Sequence, residues 1–311
     1  MKQLRTIFMG TPEFSVPCLE KLTAVTEVIG VVTQPDKPRG RGQHLLPSPV
    51  KVFAQAQGIP VYQPMKIKDE SFVPVLEQLK PDLIVVVAFG QILSQRILDI
   101  PPAGCINVHA SLLPRYRGAA PMQRCLMDGE AQTGVTTMFM DAGLDTGDML
   151  LKAVLPIGPD MNMNELHDAL MERGAALLLR TIEALQQGSL VREKQNDADS
   201  NYAPMLTKDT GRIDWTKSAQ EIHNLVRALD SWPGAFCTFD NAKFKIWRTR
   251  LTEQTAAAQP GEIAAFTAGG MLIGTGQGLL EILELQAPNK KRMAAKDYLR
   301  GHAIPLHACF G

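Results

Sequence analysis

The sequence predicts an α/β domain followed by a smaller domain of short β-strands. Up to residue 188, short apolar and β-branched runs alternate with helical patterns. Runs that are apolar at every position suit strands covered on both faces, as in a parallel sheet. After residue 205, strand-like runs follow one another with only turns between them, which is typical of a small β-barrel. We therefore expect a first domain at 1–188, a polar linker at 189–205 and a second domain at 206–311.

Individual elements follow from local pattern. First-domain strands are predicted at 6–9, 28–32, 83–87, 106–108, 135–140 and 149–155. Thr11 is suited to cap a helix whose first position is Pro12. Apolar residues recur at helical spacing over 164–188, and Gly188 is a typical helix stop. In the second domain a helix at 222–228 precedes strands at 236–239, 244–247, 261–266, 271–274 and 279–285.

Residues 34–49 have the composition of a surface segment. They contain four prolines, two glycines and three basic residues against one acid, which predicts a loop and not part of a sheet. Sixteen residues is long for a loop in a compact domain, so we expect it to be functional. Its basic residues are Lys37, Arg39 and Arg41.

Composition excludes several classes of protein. The 311 residues include 32 Lys and Arg against 32 Asp and Glu, and 45% are hydrophobic, so disordered and collagen-like chains are excluded. The longest apolar run, 83–89, is too short to span a membrane. Five widely spaced cysteines predict neither a disulfide framework nor a zinc site. With an N-terminal apolar run too short for a signal peptide, we expect a cytoplasmic protein without a membrane partner.

Two candidate catalytic residues come from the predicted strand that ends at Val108. Asn107 and His109 are two residues apart on this strand, so their side chains lie on the same side. Ligands of open parallel sheets bind beyond the carboxyl ends of the strands, which is where this pair is expected. The competing interpretation is a strand-end histidine that bonds a loop carbonyl.

A third candidate lies in the loop 141–148, which contains three carboxylates and two glycines and follows the strand 135–140. Acid–base chemistry, a calcium site and a plain solvated turn are the possible interpretations. Calcium loops need further oxygen ligands and a bidentate Glu that are missing here. An Asn, a His and an Asp at one sheet edge would suit acyl transfer, because the first two can stabilise an oxyanion and the carboxylate favours a protonated imidazole.

Two possible nucleophiles are less well placed. Cys105 starts the apolar strand, where a buried and inert thiol is expected. Ser111 lacks the G-x-S-x-G elbow of hydrolases. The chemistry is therefore expected to proceed without a covalent enzyme intermediate.

The residues around this edge also carry a recognisable pattern. N-V-H-x-S-L-L-P-R-Y-R-G-A-A-P-M-Q at 107–123 and G-L-D-T-G-D at 143–148 resemble the folate-dependent formyltransferase family. T-Q-P-D-K-P-R-G-R-G at 33–42, P-S-P-V-K at 47–51, I-D-W at 213–215, W-P-G-A at 232–235 and K-K-R-M at 290–293 resemble its methionyl-tRNA branch. The resemblance extends over essentially the full chain.

The resemblance implies a Rossmann-like formyltransferase domain followed by an OB-like barrel. It implies transfer of the formyl group of 10-formyltetrahydrofolate to the α-amine of methionyl initiator tRNA, with no metal and no required protein partner. The matching catalytic residues are Asn107, His109 and Asp145. Folate binding is assigned to Ser111, Leu112, Leu113 and Pro114, and tRNA contacts are expected at Lys37, Arg39, Arg41, Lys208, Lys290 and Lys291.

Three alternatives remain open at the level of sequence. One is formyl transfer to an amino sugar nucleotide or small ribonucleotide, against which the long basic loop and the barrel argue. The others are a non-enzymatic RNA-binding protein and a hydrolase that releases formate. Net charge does not exclude an RNA partner, because residues 206–311 carry 13 basic against 10 acidic residues while residues 1–205 carry 19 against 22.

Overall fold

The computed structural model describes residues 3–39, 44–69 and 71–311 of the chain. Contacts divide the chain into two compact units, and each is built from separate segments. The first unit comprises Met1–Gly118, Thr133–Leu155 and His167–Tyr202, and the second Ala119–Gln132, Pro156–Leu166 and Ala203–Gly311. Most of the expected linker 189–205 is thus grouped with the first unit. The boundaries drawn from the sequence stay a prediction.

The strands, in chain order, are β1 (Arg5–Gly10), β2 (Glu27–Val32), β3 (Lys37–Arg39), β4 (His44–Leu46), β5 (Val61–Tyr62), β6 (Leu83–Val87), β7 (Cys105–His109), β8 (Arg117–Gly118), β9 (Gln132–Phe139), β10 (Met149–Pro156), β11 (Tyr202–Ala203), β12 (Ala235–Phe239), β13 (Ala242–Leu251), β14 (Ile263–Phe266), β15 (Met271–Gly274), β16 (Leu279–Gln286) and β17 (Met293–Ala294). The α-helices are α1 (Val16–Val25), α2 (Pro49–Ala56), α3 (Val73–Leu79), α4 (Gln95–Leu98), α5 (Pro121–Met127), α6 (Met163–Gln186), α7 (Ala219–Ala228) and α8 (Ala295–Gly301). Short 3₁₀ turns lie at Glu13–Ser15, Asp197–Asp199 and Asp209–Gly211.

The first unit is built on a seven-stranded sheet of order β10-β9-β7-β6-β1-β2-β5. Strands β5, β2, β1, β6 and β7 run parallel, and β9 lies antiparallel to β7. The central strand β6 has the sequence LIVVV and is buried at every position, as expected for a strand covered on both faces. The predicted α/β, Rossmann-like character of this part is confirmed.

Two local predictions in this unit are wrong. Thr11 does not cap a helix, because its hydroxyl donates to the carbonyl of Phe89 and a 3₁₀ turn precedes α1, which begins at Val16. Segment 34–49 is not only a loop, since β3 and β4 pair antiparallel as a separate two-stranded ribbon. Among the described residues only β3 and β4 form this ribbon, and an edge strand tolerates Pro38, because proline lacks an N–H that a further strand would need.

The second unit contains an antiparallel sheet of order β12-β13-β16-β15-β14, with β17 paired to β16. The five strands expected from the sequence all form. The last residues of the chain hydrogen-bond to two strands of this sheet. Gly311 and Thr238 exchange backbone bonds of 2.8 and 2.6 Å, and Ile263 bonds to Ala308 and His307 at 2.9 and 3.2 Å.

A buried histidine on α7 links three parts of the second unit. His223 Nδ1 lies 2.9 Å from the hydroxyl of Thr249, and Nε2 lies 3.3 Å from the carbonyl oxygen of Pro159. The neutral ring satisfies both bonds, with Nε2 donating and Nδ1 accepting. Burial lowers the pKa of His223 below 6.5, and the charge of Arg227 acts in the same direction, while the Pro159 bond and Asp160 oppose it.

This environment predicts a loss of stability in mild acid. Below a pH of about 6.5 the unfolded chain protonates His223 while the folded protein does not, so protonation favours unfolding. Between about pH 7.5 and about pH 5.5, the free energy of unfolding measured in urea should fall more for the wild type than for His223→Gln. The exposed His302 provides the control, and His302→Gln should follow the wild type. Equal pH dependence in wild type and His223→Gln would contradict this assignment.

Candidate active site

Three polar side chains named from the sequence meet at the carboxyl end of β7. Asn107 Nδ2 lies 3.4 Å from Asp145 Oδ1, and His109 Nδ1 lies 3.7 Å from the same oxygen. Asn107 and His109 point to one side because they are two residues apart on a strand. Asp145 reaches them from the loop between β9 and β10. His109 and Asp145 side chains are only 6% and 14% exposed, so the cluster is largely shielded from water.

The hydrogen bonds of His109 fix which ring nitrogen can exchange a proton. Nε2 lies 2.9 Å from the carbonyl oxygen of Tyr116. A carbonyl oxygen only accepts, so Nε2 carries a hydrogen in both the neutral and the charged ring. Nδ1, which faces Asp145, is therefore the atom that gains or loses a proton. The bond to a loop carbonyl and the placement beside Asn107 and Asp145 coexist, so the two interpretations of this histidine are compatible.

The loop of Asp145 is held in a tight conformation by its own side chains. Asp141 Oδ1 accepts from the N–H of Gly143 at 3.0 Å and from the hydroxyl of Thr146 at 2.7 Å. Asp145 has a φ of 54°, a left-handed backbone that aspartate tolerates better than most residues. Its Oδ2 accepts from the N–H of Gly118 at 2.9 Å. Among the described residues there is no group of three or more His, Cys, Asp or Glu that could hold a metal ion.

The turn at 111–114, expected to bind folate, is stabilised by buried hydroxyl groups. The Ser111 hydroxyl donates to the carbonyl of Arg115 at 2.6 Å, and Ser111 is fully buried. Thr136 Oγ1 donates to the Ser111 carbonyl at 2.7 Å and accepts from the N–H of Leu113 at 3.1 Å. Leu113 is 1% exposed. Ser111 therefore shapes the turn, and Leu112 and Pro114 are its half-buried members. Sequence reasoning did not identify Thr136.

The thiol at the start of β7 is in the protonated form. Cys105 is buried, and burial raises its pKa to about 12, with the charge of Asp99 adding to the effect. Its Sγ donates weakly to the carbonyl of Leu98. A thiol of such high pKa is a poor nucleophile, which agrees with the expectation from the sequence.

The expected tRNA contacts of the first unit lie on the β3–β4 ribbon. Lys37 is exposed, whereas Arg41 and the Arg39 side chain lie outside the described residues. The base of the ribbon is anchored by Lys51 Nζ, which donates to Asp36 Oδ2 at 2.7 Å and to Gln63 Oε1 at 2.8 Å. Hydrogen bonds from Lys51 and Gln63 lower the pKa of the Asp36 carboxyl.

The second unit contains more clustered positive charge than the sequence suggested. Lys208, Lys290 and Lys291 are exposed as expected. Lys243 was not identified, and its Nζ lies 3.3 Å from the centroid of the Phe236 ring. Its pKa is lowered first by desolvation and then by neighbouring cations, which are Lys245, Arg212 and Lys208, although Asp209 opposes them. The sequence did contain a signal for this cluster: Lys243, Lys245 and Trp247 are two residues apart in β13, so their side chains lie on one face of the strand.

No helix among residues 3–39, 44–69 and 71–311 combines the length and apolarity needed to cross a bilayer.

Two family models match the chain. Residues 4–182 match the model described as "Formyl transferase", and residues 205–303 match "Formyl transferase, C-terminal domain". Asn107, His109 and Asp145 lie within the first match.

Curated relatives match the chain over nearly its whole length. The methionyl-tRNA formyltransferase of Geobacter metallireducens is 53% identical over 302 residues, which cover 97% of this chain and 96% of that protein. The methionyl-tRNA formyltransferase of Clostridioides difficile is 48% identical over 309 residues, which cover 99% of this chain and 100% of that protein.

Solved structures of lower identity share the fold. WlaRD, a sugar 3N-formyl transferase solved with dTDP and 5-N-formyl-THF, matches with a TM-score of 0.69 at 20% identity, over 94% of this chain and 100% of that one. HypX from Aquifex aeolicus in complex with tetrahydrofolic acid matches with a TM-score of 0.64 at 18% identity, over 96% of this chain and 47% of that one.

The close approach of backbone segments predicts that replacing Gly147 lowers the stability of the protein. A Cβ at this position would overlap the carbonyl oxygen of Phe139. Gly147→Ala should therefore destabilise the protein by about 1–3 kcal/mol, the usual cost of overpacking, and lower its melting temperature. Gly158→Ala is the control, because the nearest atom to a Cβ there is Met161 Cβ at 4.0 Å. Equal melting temperatures for the two variants would show that the loop relaxes without cost.

Proposed function

The chain belongs to the formyl transferase family, and we propose that it transfers the formyl group of 10-formyltetrahydrofolate to the α-amine of methionine esterified to initiator tRNA. The products are formylmethionyl-tRNA and tetrahydrofolate. The observation that carries this proposal is the identity of 48–53% to methionyl-tRNA formyltransferases over nearly the full length of both chains. Because charged tRNA is found in the cytoplasm, we expect the protein to act there.

Asn107 and His109 stabilise the charge that develops during transfer. The neutral amine attacks the formyl carbon, and negative charge grows on the formyl oxygen. Asn107 Nδ2 has two hydrogens, of which one faces Asp145 at 3.4 Å, so the other is left for this oxygen. The Nδ1–H of a protonated His109 is the second donor. One such donor is typically worth about 3 kcal/mol in the transition state.

Asp145 stabilises the imidazolium and helps to move the proton. Its Oδ1 lies 3.7 Å from His109 Nδ1, close enough for one water or substrate atom to contact both groups. When the new C–N bond has formed, the attacking nitrogen loses a proton. The bond from the formyl carbon to N10 of the folate then breaks, and N10 receives the proton.

The turn at 111–114 is proposed to bind the folate. Since the Ser111 hydroxyl is committed to the Arg115 carbonyl, its role is to keep the shape of the turn. Contact with the folate then falls to Leu112, Pro114 and the backbone of the turn. Leu113 supports them from within the core.

The tRNA is proposed to be bound by positive charge on both units. On the first unit, Lys37, Arg39 and Arg41 contact the acceptor end, where phosphates and 2′-hydroxyls are read. The first base pair of the initiator is expected to be weak and easily opened.

The second unit is proposed to be an OB-like barrel that the C-terminal residues close by bonding to Thr238 and Ile263. Its predicted tRNA contacts are Lys208, Lys290 and Lys291. The cations around Lys243 extend this set, since Lys208 is common to both groups. A domain whose basic side chains are gathered in this way can bind the phosphate backbone without a large net charge.

The purified protein should form formylmethionyl-tRNA from 10-formyltetrahydrofolate and methionyl initiator tRNA, and much less product from the elongator tRNA. Asn107→Ala, His109→Ala and Asp145→Ala should each lower kcat by at least about 100-fold, with little change in melting temperature. Cys105→Ala is the control and should keep kcat within about twofold, because this thiol takes no part.

The same assay separates the alternatives. Formate release without tRNA would indicate a hydrolase, and formylation of a dTDP-amino sugar would indicate a sugar enzyme. Tight tRNA binding without turnover would leave only an RNA-binding protein. Normal activity in any one of the three alanine variants would remove that residue from the catalytic set.

A second prediction concerns the basic cluster of the second unit. Lys243→Glu should raise the KM for methionyl-tRNA by about fivefold or more and reduce the dependence of this KM on salt, because one phosphate contact is lost. The kcat and the KM for 10-formyltetrahydrofolate should stay within about twofold of the wild type. Lys21→Glu in α1 makes the same change of charge at an exposed position of the first unit. If both variants raise the KM for tRNA equally, net charge and not this cluster determines binding.

A further inference from the structure

A segment that composition marks as a linker contacts the loop of Asp145. Gln195 lies in the expected linker 189–205 and between the two family matches, yet it is only 7% exposed. Its side-chain Nε2 donates to the carbonyl oxygens of Asp145 and Gly147, both at 2.8 Å. One buried amide thus joins the backbone on both sides of Thr146, next to the carboxylate of the candidate site.

The orientation of the Gln195 amide is fixed by its partners. Carbonyl oxygens only accept, so the nitrogen faces the loop. The oxygen, Oε1, accepts from Arg117 Nε at 3.0 Å. Arg117 in turn donates from Nη2 to Asp197 Oδ1 at 2.9 Å. The amide thus uses both of its hydrogens and accepts one further bond, which is the pattern of a buried support and not of a solvated linker.

The same segment, 189–205, also bonds to the turn whose carbonyl group binds His109. Asn201 Oδ1 accepts from the N–H of Tyr116 at 2.5 Å, and the Asn201 carbonyl accepts from the N–H of Arg117 at 3.1 Å. The carbonyl of Tyr116 is the group that binds His109 Nε2. Gln195 therefore contacts the loop of Asp145, and Asn201 contacts the turn that orients His109.

Asp145 and Tyr116, which these contacts support, both have strained backbone conformations. Asp145 has a φ of 54° and Tyr116 a φ of 60°, in the left-handed region. Such a conformation costs about 1–2 kcal/mol for an L-residue, so it persists only where neighbouring contacts impose it. The bonds from Gln195 and Asn201 are contacts of this kind.

We propose that Gln195 and Asn201 are positioning residues, which hold Asp145 and His109 in the geometry needed for formyl transfer. The inference rests on the proposed function, because it assigns these residues to the same site. They touch no reacting atom and act through Asp145 and His109. A displacement of about 1 Å at such a site can cost about 100-fold in rate, so their loss lowers kcat while the substrates still bind.

The test is steady-state kinetics of the full-length protein with 10-formyltetrahydrofolate and methionyl initiator tRNA. Gln195→Met keeps the length of the side chain and removes its three hydrogen bonds. We expect kcat to fall by about 10–100-fold, with both KM values within about threefold of the wild type. Gln187→Met is the matched control, because Gln187 is exposed and lies just before the linker, at the end of α6.

A double-mutant cycle shows whether Gln195 acts through Asp145. In the Asp145→Asn background, Gln195→Met should lower kcat no further, since the positioned carboxylate is already gone. Equal losses in both backgrounds would overturn the inference. If Gln195→Met melts below the assay temperature, Gln195→Glu replaces it in the cycle, because it keeps an acceptor for Arg117 but cannot donate to both carbonyls.

Asn201 is tested by conservative rescue. Asn201→Ala should lose about tenfold in kcat, and Asn201→Asp, which keeps an accepting oxygen for the Tyr116 N–H, should recover most of that loss. Equal kcat for the two variants would overturn this part. An inactive wild type would refute the proposed function itself, whereas an active wild type with an equally active Gln195→Met would refute only the positioning role.

Discussion

The arrangement of the site depends on the contacts of the Asp145 carboxylate. Its Oδ2 accepts the Gly118 N–H, and its Oδ1 faces both Asn107 Nδ2 and His109 Nδ1. A carboxylate only accepts, so it determines the polarity of its neighbours. Asn107 has to present its amino group, and a charged imidazole has to present Nδ1–H. The Asn107 Nδ2 hydrogen that does not face Asp145 is then left for an incoming oxygen, as the proposed stabilisation of an oxyanion requires.

The order of strands explains how such a cluster is kept rigid. Because β9 pairs antiparallel with β7, Thr136 lies opposite His109 in register. The hydroxyl of Thr136 then bonds to the Ser111 carbonyl and the Leu113 N–H, so the strand next to β7 also fixes the turn that follows it. The same strand continues into the loop that carries Asp145. One pair of strands thus determines both the geometry of the candidate site and the proposed folate turn.

The sequence was informative where structure depends on neighbours along the chain. The run 83–87 predicts β6 with the bounds observed, because a short apolar run rich in β-branched residues is typical of a buried strand. Asn107 and His109 were found because they end such a strand. Gln195 was missed because its partners Asp145 and Gly147 are 50 and 48 residues away, and a polar segment has the same composition whether it is solvated or bonded to distant carbonyls. The β3–β4 ribbon was missed because pairing between strands is not encoded in turn-forming residues alone.

The net charge of the chain and the positions of its basic side chains also give different information. The chain as a whole is neutral, which by itself gives no indication of a polyanionic partner. In the second unit, however, Lys208, Arg212 and Lys245 are close enough to Lys243 to lower its pKa, so their positive charges are gathered at one place on the surface. Binding to the phosphate backbone depends on how many cations meet phosphates, and not on the total charge of the protein. A neutral protein whose cations are gathered in this way would bind a phosphate backbone with a small salt dependence, and acidic residues elsewhere would limit non-specific contact with nucleic acid.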